Sequence, residues 1–308
     1  MNVLIVGFGS IARKHINALK AIGLDCRLFA LRSDFNVKYY EGIENIFDLN
    51  QLPVKPDFAI ISNPTKLHAK YIELLSDSHI PLFIEKPPVS NLDDAEKLDS
   101  KVKSSGLFTY VACNLRFHPC IQYVKNHLSK GHRRINEINV YCGSYLPEWR
   151  PGQDFRSIYS ANSEMGGGVH LDLFHELDYL HWIFGAPVSV KSVKTNRSSL
   201  NISAIDYANY ILDYRSFSAS VILNYFRREP KRTFEIVYED KTWHVDLLKN
   251  KIVDGAGDAI FTGDDSYSIN ETYLAQMQYF IDCLGTNRLP MNTFKDSIEV
   301  LHTCLTDE

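Results

Sequence analysis

The sequence lacks the features that mark membrane-inserted, secreted and nucleic-acid-binding proteins. It has no uninterrupted apolar run of about 18 residues, the length that a membrane span needs, and its apolar start, residues 1–9, is too short for a signal-peptide core. The formal net charge is −4, so the basic excess of proteins that bind nucleic acids or anionic membranes is missing. We therefore expect a soluble, cytoplasmic protein with neither kind of partner.

Cysteine patterns are missing as well. Six cysteines are scattered along 308 residues without a CxxC pair, which favours buried thiols in a reducing compartment over a disulfide framework. Histidine, cysteine and acidic residues do not occur at the spacing of a metal site, so we expect no metal.

The first third of the chain alternates buried strands with helices. Hydrophobic residues make up 45% and charged residues 23% of the chain, an ordinary globular balance. Continuous apolar segments predict strands buried on both faces, and these segments are residues 2–6, 26–31, 58–62, 81–84 and 107–112. The intervening helices are expected to end at Gly23 and Gly106, and Ser90 with Asp93 resembles a capping box. The order predicts a doubly wound parallel sheet, a Rossmann domain over residues 1–118.

Residues 119–308 have a different character and predict a second α/β domain with an open, mostly antiparallel sheet. Its expected strands are residues 188–193, 207–213, 218–225, 234–238 and 243–247. A glycine-rich turn at residues 166–168 precedes one predicted helix over residues 169–184. Two more helices follow, one ended by Gly285 and one over residues 294–305.

The first strand, a glycine turn and the first helix have the pattern of a dinucleotide-binding unit. Gly7 permits the tight turn, Gly9 lets backbone approach a pyrophosphate, and Ala12 lets helix and strand pack closely. The residues predicted to contact the cofactor here are Gly7, Phe8, Gly9, Ser10, Ile11 and Ala12. A tight turn without ligand and a SAM-dependent methyltransferase are the alternatives.

The end of the second strand bears on the choice of cofactor. An NAD-preferring fold places Asp or Glu there for the ribose hydroxyls, whereas this chain has Arg32 and Ser33. A cation beside a hydroxyl suits a 2′-phosphate, so NADP is favoured over NAD. An ordinary solvent-exposed arginine is the alternative.

Three motifs in sequence order resemble the Gfo/Idh/MocA oxidoreductases, the family of glucose–fructose oxidoreductase and inositol dehydrogenase. They are Ser62-Asn63-Pro64-Thr65 with His68, Glu85-Lys86-Pro87, and the segment from Gly166 to His175. The resemblance covers essentially the whole chain. It implies a Rossmann domain and a second α/β domain whose open sheet forms homodimer or homotetramer contacts. It also implies cofactor contacts from Ser62, Asn63, Pro64, His68, Glu85 and Lys86.

The resemblance also implies catalytic roles. Lys86 matches the lysine of the family's EKP motif, which polarises the reacting oxygen. Asp172 and His175 match the family's Asp/His pair, although two residues separate them here instead of three. On a continuous helix both spacings share one face, so His175 is expected to act as acid/base with Asp172 supporting it. For His68, a place at the nicotinamide and a purely backbone-satisfying role are equally open.

Two polar, aromatic segments before the catalytic helix predict substrate contacts. Aromatic faces stack on sugars and arginine forks bind carboxylate or phosphate, which suits an acidic sugar or a nucleotide-sugar. The candidate residues are Arg116, His118, Trp149, Arg150 and Arg156. A salt-bridged surface loop is the alternative. The segments around residues 114–119 and 145–152 resemble a family subset associated with bacterial surface-sugar metabolism.

We therefore predict an NAD(P)-dependent enzyme that transfers a hydride between nicotinamide and a carbinol or carbonyl carbon of a sugar-like substrate. The alternative from another class is a non-catalytic dinucleotide-binding sensor. The presence of Lys86 and His175 argues against a sensor, which needs neither residue.

Overall fold

The computed structural model describes residues 1–35, 38–131 and 133–307, which form two compact units. The first unit consists of Met1–Asn114 and Ile269–Leu301, and the second consists of Leu115–Ser268 and the chain end from His302. The sequence predicts a single division, after residue 118. Ile269–Leu301 instead belongs to the first unit, because Met277 and Phe280 are fully buried in the core of its sheet.

The first unit contains the predicted Rossmann sheet. Its strands in the described residues are β1 (Asn2–Val6), β2 (Arg27–Leu31), β3 (Ile43–Ile46), β4 (Phe58–Ile61), β5 (Leu82–Glu85) and β6 (Thr109–Ala112). They run parallel in the order β3-β2-β1-β4-β5-β6, so the strand order reverses between β1 and β4. In such sheets ligands bind outside the carboxyl ends of the strands at this reversal. The doubly wound prediction is confirmed.

Three helices of the first unit are α1 (Ser10–Ala21), α2 (His68–Asp77) and α3 (Leu92–Ser105). Gly23 and Gly106, with φ of +75° and +59°, follow the ends of α1 and α3 as predicted. The predicted capping box of Ser90 and Asp93 is wrong by one residue. Asn91 is the cap, and its side chain accepts the backbone N–H of Asp94 at 2.8 Å.

The second unit begins with α4 (Pro119–Leu128) and contains the predicted open sheet. Its strands in the described residues are β7 (Ile135–Tyr145), β8 (Ser189–Thr195), β9 (Tyr207–Asp213), β10 (Ser218–Asn224), β11 (Phe226–Tyr238), β12 (Thr242–Asp246), β13 (Lys251–Asp254) and β14 (Ala259–Thr262). The order is β14-β13-β12-β11-β7-β10-β9-β8, and every neighbouring pair except β7 with β10 is antiparallel.

The predicted single helix over residues 169–184 is wrong. The structure has a short helix α5 (Val169–Asp172) and a longer helix α6 (His175–Phe184). Leu173, with φ −97° and ψ 34°, leaves the helical conformation between them, and the next residue, Phe174, is fully buried. The break therefore lies between the two residues of the expected Asp/His pair.

Two helices complete the described chain, α7 (Asn270–Thr286) and α8 (Phe294–Leu305). Helix α7 ends at Asn287, which has φ of +49°, and Gly285 lies inside its last turn rather than ending it. Phe280 of α7 contacts Phe58 and Phe83 with ring centroids 5.0 and 5.2 Å apart. These buried aromatic contacts attach α7 to the Rossmann sheet.

The sequence also predicts buried thiols and no membrane-spanning helix. None of the six cysteines forms a disulfide among the described residues; Cys26 is half-buried and the other five are buried. Among the helices of the described residues, none combines the length and apolar character that crossing a membrane requires.

Candidate functional site

The glycine turn after β1 has the geometry that a phosphate cradle needs. Gly7 has φ of +83°, and a Cβ there would lie 2.5 Å from the Cα of Asn63. Gly9 differs, because no described atom lies within 4 Å of the position that its Cβ would take. Helix α1 begins directly after Gly9. Because the first N–H groups of a helix have no partner within the helix, the start of α1 beside this open space is suited to bind a phosphate.

The loop after β4 closes the other side of this cradle. The Ser62 hydroxyl donates to the backbone oxygens of Val6 at 3.2 Å and Gly7 at 3.0 Å, which ties the two loops together. Both polar atoms of the Asn63 amide are buried and have no hydrogen-bond partner among the described residues. Buried amides are normally satisfied. The open Gly9 and the unsatisfied Asn63 together fit a bound dinucleotide.

Arg32 lies beside the glycine turn. Its guanidinium stacks over the Phe8 ring at 4.9 Å and donates to the Asn45 side chain at 3.1 Å. The Phe8 ring also contacts Tyr40, with centroids 4.8 Å apart. Arg13, on the first turn of α1, donates to the Tyr40 hydroxyl at 3.3 Å. Sequence reasoning missed Arg13, because helical periodicity identifies it only as a residue off the buried face of α1.

Lys86 follows β5 at the carboxyl edge of the same sheet. It is half-buried, and its backbone N–H donates to the Glu85 carboxylate at 3.2 Å. The other carboxylate oxygen of Glu85 lies 2.5 Å from Nε2 of His15, which is completely buried on α1. Glu85 therefore contacts the loop that carries Lys86 and the helix that follows the glycine turn. No motif in the sequence pointed to this role of His15.

His68 contacts backbone oxygens with both ring nitrogens. Its Nε2 lies 2.9 Å from the carbonyl of Asn63, and its Nδ1 lies 3.2 Å from the carbonyls of Pro87 and Pro88. The ring is buried, and burial lowers the pKa of His68 below its ordinary value. The ring therefore lies between the loop after β4 and the loop after β5, where a neutral imidazole donates to one of these carbonyls, and its expected place at the nicotinamide stays a prediction.

In the second unit, Asp172 is held by a tyrosine that sequence reasoning missed. The Tyr225 hydroxyl donates to Oδ2 of Asp172 at 2.5 Å. Tyr225 is fully buried, and burial raises the pKa of its hydroxyl well above the usual value, so the hydroxyl stays protonated as a donor. In the sequence Tyr225 is one more aromatic at the end of an expected strand, and it carries no signal of a polar role.

His175 begins α6, three residues after Asp172 ends α5, and its side chain is largely buried. Because Leu173 interrupts the helix, Asp172 and His175 do not share a face of the single continuous helix that the sequence predicts. The next two acidic side chains of α6 are paired instead. Glu176 binds Arg232 at 2.6 Å, and Asp178 is part of the ion pair described next.

Two predicted substrate residues, Arg116 and His118, are buried and make contacts within the second unit. Arg116 is buried and makes a bidentate ion pair with Asp178, at 2.9 and 2.7 Å. His118 is also buried; its Nδ1 accepts the backbone N–H of Cys120 to cap α4, and its Nε2 lies 3.0 Å from the carbonyl of Leu247. These bonds tie both side chains to the protein, and their predicted contact with substrate stays a prediction.

The remaining substrate candidates lie in the loop after β7. Trp149 contacts the Tyr225 ring edge-on at 5.3 Å and keeps 38% of its surface exposed. Its Nε1 donates to Ser144 at 2.9 Å, which fixes the ring. Arg150 and Arg156 are exposed. This loop thus brings one anchored aromatic ring to the tyrosine that holds Asp172.

Comparison with known proteins bears on these features. A family model described as "Oxidoreductase family, NAD-binding Rossmann fold" matches residues 1–113, and one described as "GFO/IDH/MocA C-terminal domain" matches residues 129–244. This chain belongs to the Gfo/Idh/MocA oxidoreductase family. It is therefore an NAD(P)-dependent oxidoreductase, and the resemblance expected from its three motifs is confirmed.

Several members of the Gfo/Idh/MocA family are similar to this chain. The scyllo-inositol 2-dehydrogenase (NAD(+)) of Bacillus subtilis is 22% identical over 78% of this chain and 71% of its own length. The scyllo-inositol 2-dehydrogenase (NADP(+)) IolU of the same organism is 28% identical over 62% and 57%. The structure of UDP-N-acetylglucosamine 3-dehydrogenase GnnA from Acidithiobacillus ferrooxidans has a TM-score of 0.78 at 20% identity, covering 100% of this chain and 96% of that one. This last likeness shows a common fold.

Proposed function

We propose that this Gfo/Idh/MocA protein transfers a hydride between nicotinamide and a carbinol or carbonyl carbon of a sugar-like substrate. The observation that carries the proposal is the shared sheet edge. The glycine cradle follows β1, and Lys86 follows β5, one strand beyond the neighbouring β4. Parallel strands place their carboxyl ends at one edge, which is where ligands bind. The similar inositol dehydrogenases support a polyhydroxylated substrate.

The side chains supply binding and proton transfer. A bound nicotinamide would accept or donate the hydride at its C4. The Lys86 ammonium hydrogen-bonds the reacting oxygen and stabilises negative charge as it develops there. His175 removes the hydroxyl proton in oxidation or returns it in reduction, because an imidazole titrates near neutral pH. Asp172, oriented by Tyr225, supports that histidine.

The two arginines near Phe8 support NADP as the preferred cofactor. Arg32 and Arg13 both contact the Phe8–Tyr40 pair, and Ser33 follows Arg32 with an exposed hydroxyl. Two guanidiniums suit a 2′-phosphate, and one of them, Arg32, directly follows β2 at the position where an NAD-preferring fold places a carboxylate.

Titration with NADPH and NADH, followed by nicotinamide fluorescence, tests this preference. We expect NADPH to bind more tightly, and Arg32→Ala to weaken NADPH by about tenfold or more while leaving NADH nearly unchanged. Arg27→Ala is the matched control, because Arg27 is an exposed β2 arginine paired with Glu44. Tighter NADH binding contradicts the NADP assignment but not the enzyme class. Binding of neither cofactor contradicts the proposed function itself.

An acidic sugar or a nucleotide-sugar is the proposed substrate class. Trp149 offers an anchored face for a sugar ring, and Arg150 and Arg156 are exposed cations on the same loop. The fold shared with a UDP-N-acetylglucosamine 3-dehydrogenase supports this class, and a substrate of this class would fit a place in surface-sugar metabolism. Screening inositols, hexuronic acids and UDP-sugars for cofactor reduction tests it, and turnover of neutral polyols alone would contradict it.

We also propose a homodimer or homotetramer formed through the exposed face of the second sheet. On that face Glu137 lies near one end of β7, and Lys231 pairs with Gly143 near the other end, about 20 Å away by strand rise. Packing of this face on itself about a two-fold axis perpendicular to the strands brings the Lys231 end of one copy over the Glu137 end of the other. Light scattering tests this: Lys231→Glu should shift the oligomer towards monomer, and Lys249→Glu, in an exposed turn, should not.

A further inference from the structure

The Glu85 carboxylate contacts two parts of the first unit, helix α1 and the loop after β5. One oxygen accepts the backbone N–H of Lys86 at 3.2 Å, and the other lies 2.5 Å from Nε2 of His15. Because a carboxylate only accepts hydrogen bonds, the proton of that contact belongs to His15 Nε2. The carboxylate is therefore bonded on both sides, once by helix α1 and once by the loop after β5.

Packing fixes the position of the His15 ring. Its side chain is completely buried, its ring meets Phe83 edge-on at 4.8 Å, and Tyr273 of α7 lies 5.9 Å away on another side. A ring enclosed in this way has little rotational freedom. The direction in which it presents Nε2 is accordingly fixed by the core of the first unit.

We propose that His15 and Glu85 are positioning residues that set the orientation of Lys86 relative to the glycine cradle. Because Pro87 and Pro88 have no N–H groups, the amide of Lys86 is the one backbone donor of residues 86–88. The Glu85 carboxylate takes that donor and fixes the plane of the peptide from which the lysine side chain extends. Helix α1 thus has two roles. Its start forms part of the pyrophosphate site, and its His15 fixes, through Glu85, the backbone from which the Lys86 side chain extends.

This proposal rests on the proposed function, because the orientation of Lys86 matters for turnover only if Lys86 polarises the substrate. Its energetic basis is general: a hydrogen bond to a buried carboxylate is stronger than one between neutral groups. Catalytic geometry is sensitive to displacements of about 1 Å. Loss of His15 would leave the carboxylate free to turn away from the Lys86 N–H.

Hydrogen exchange at the Lys86 amide is the direct test. The full chain is labelled with ¹⁵N-lysine, and the Lys86 signal is identified by its absence in Lys86→Arg. In His15→Leu, which fills the space without a donor, we expect the Lys86 amide to exchange at least about tenfold faster. In His15→Gln, whose amide N–H can take the place of Nε2–H, we expect exchange close to that of the parent.

The amide of Lys97, in the middle of α3, is the internal reference for global stability. Unchanged Lys86 exchange in His15→Leu would overturn the proposal, and so would equal acceleration at Lys86 and Lys97. An equal effect of Leu and Gln at position 15 would overturn the donor role of His15.

Cofactor titration and activity separate this proposal from the proposed function. His15→Leu should bind NADPH nearly as the parent does, yet show a kcat about tenfold lower on a UDP-sugar or sugar acid found by screening, with recovery in His15→Gln. Equal kcat in His15→Leu and the parent would contradict the positioning role. A Lys86→Met variant that keeps full activity would instead contradict the proposed function, whatever the exchange result.

Discussion

Tyr225 donates its hydroxyl to Oδ2 of Asp172 at 2.5 Å, across the gap between the end of β10 and the end of α5. The tyrosine is fully buried and stays protonated because burial raises its pKa. Trp149 packs edge-on against the same ring. The contact therefore joins the candidate catalytic carboxylate to the loop that carries the candidate substrate residues.

Replacing Tyr225 by phenylalanine should lower turnover without unfolding the protein. The ring and its packing against Trp149 remain, whereas Asp172 loses a donor worth about 1.5–3 kcal/mol. If Asp172 supports the acid/base histidine, kcat should fall about tenfold or more with little change in NADPH affinity. Steady-state kinetics on a substrate found by screening, with fluorescence titration of NADPH, measures both quantities.

Tyr179→Phe is the matched control for this change. Tyr179 is also fully buried in the second unit, but its hydroxyl has no hydrogen-bond partner among the described residues. Its removal should leave kcat unchanged. Equal activity of the Tyr225→Phe and Tyr179→Phe enzymes would show that the Asp172 contact does not matter for turnover.

The strands and the nucleotide-binding turn could be predicted from the sequence because buried parallel strands are written as continuous apolar runs. The strand over residues 58–61 and the turn at Gly7 follow this rule. Strand β3 was missed because Glu44 and Asn45 interrupt its apolar pattern at the sheet edge. The helix break at Leu173 was missed because Leu and Phe are compatible with a helix, and tertiary packing of Phe174 decides against it.

The backbone position of a candidate residue could be predicted where a motif fixes it: Lys86 directly follows β5 at the carboxyl edge of the sheet, as expected. The contacts of a side chain could not be predicted in this way. Arg116 and His118 have the chemistry of substrate ligands, but the partners that occupy them, Asp178 and Leu247, are distant in sequence. Patterns of local spacing carry no information about such contacts.

The ion pair of Arg116 and Asp178 should matter for stability. Both side chains are almost completely buried, so Arg116→Met leaves an unpaired buried carboxylate and should cost about 3–5 kcal/mol of unfolding free energy. The double variant Arg116→Met with Asp178→Leu should recover much of this loss. Urea unfolding measures both variants, and Arg27→Met, which breaks an exposed pair, should have little effect. A single variant as stable as the parent would show that this buried pair does not stabilise the fold.

Three buried histidines should make the protein sensitive to acid. Burial lowers the pKa of His118, His170 and His181 from 6.5 to about 4. Below pH 6.5 the unfolded chain binds protons at these positions and the folded chain does not. The free energy of unfolding therefore decreases as the pH is lowered from 6.5 to about 4. At pH 5 each of these histidines should lower the free energy of unfolding by about 2 kcal/mol relative to its value near neutral pH.

Chemical unfolding between pH 7.5 and pH 4.5 measures this slope. His181→Gln keeps a partner for Thr303 and should make the slope shallower by about one proton, whereas the exposed His302→Gln should not. A slope that is identical in the His181→Gln protein would mean that this ring does not take part in acid unfolding.

Gly7 and Gly9 should respond differently to the same substitution. An alanine at Gly7 requires φ of +83° and places a methyl group 2.5 Å from the backbone of Asn63, so Gly7→Ala should lose at least about 1–2 kcal/mol of stability.

Gly9 has φ of −87°, and no described atom lies within 4 Å of its Cβ position. Gly9→Ala should therefore melt like the parent but bind NADPH about tenfold or more weakly, because its methyl group occupies the space that a pyrophosphate needs. Thermal unfolding and fluorescence titration of both variants separate the two effects. Parent-like NADPH affinity in Gly9→Ala would place the phosphates away from this turn and contradict the cradle on which the proposed function depends.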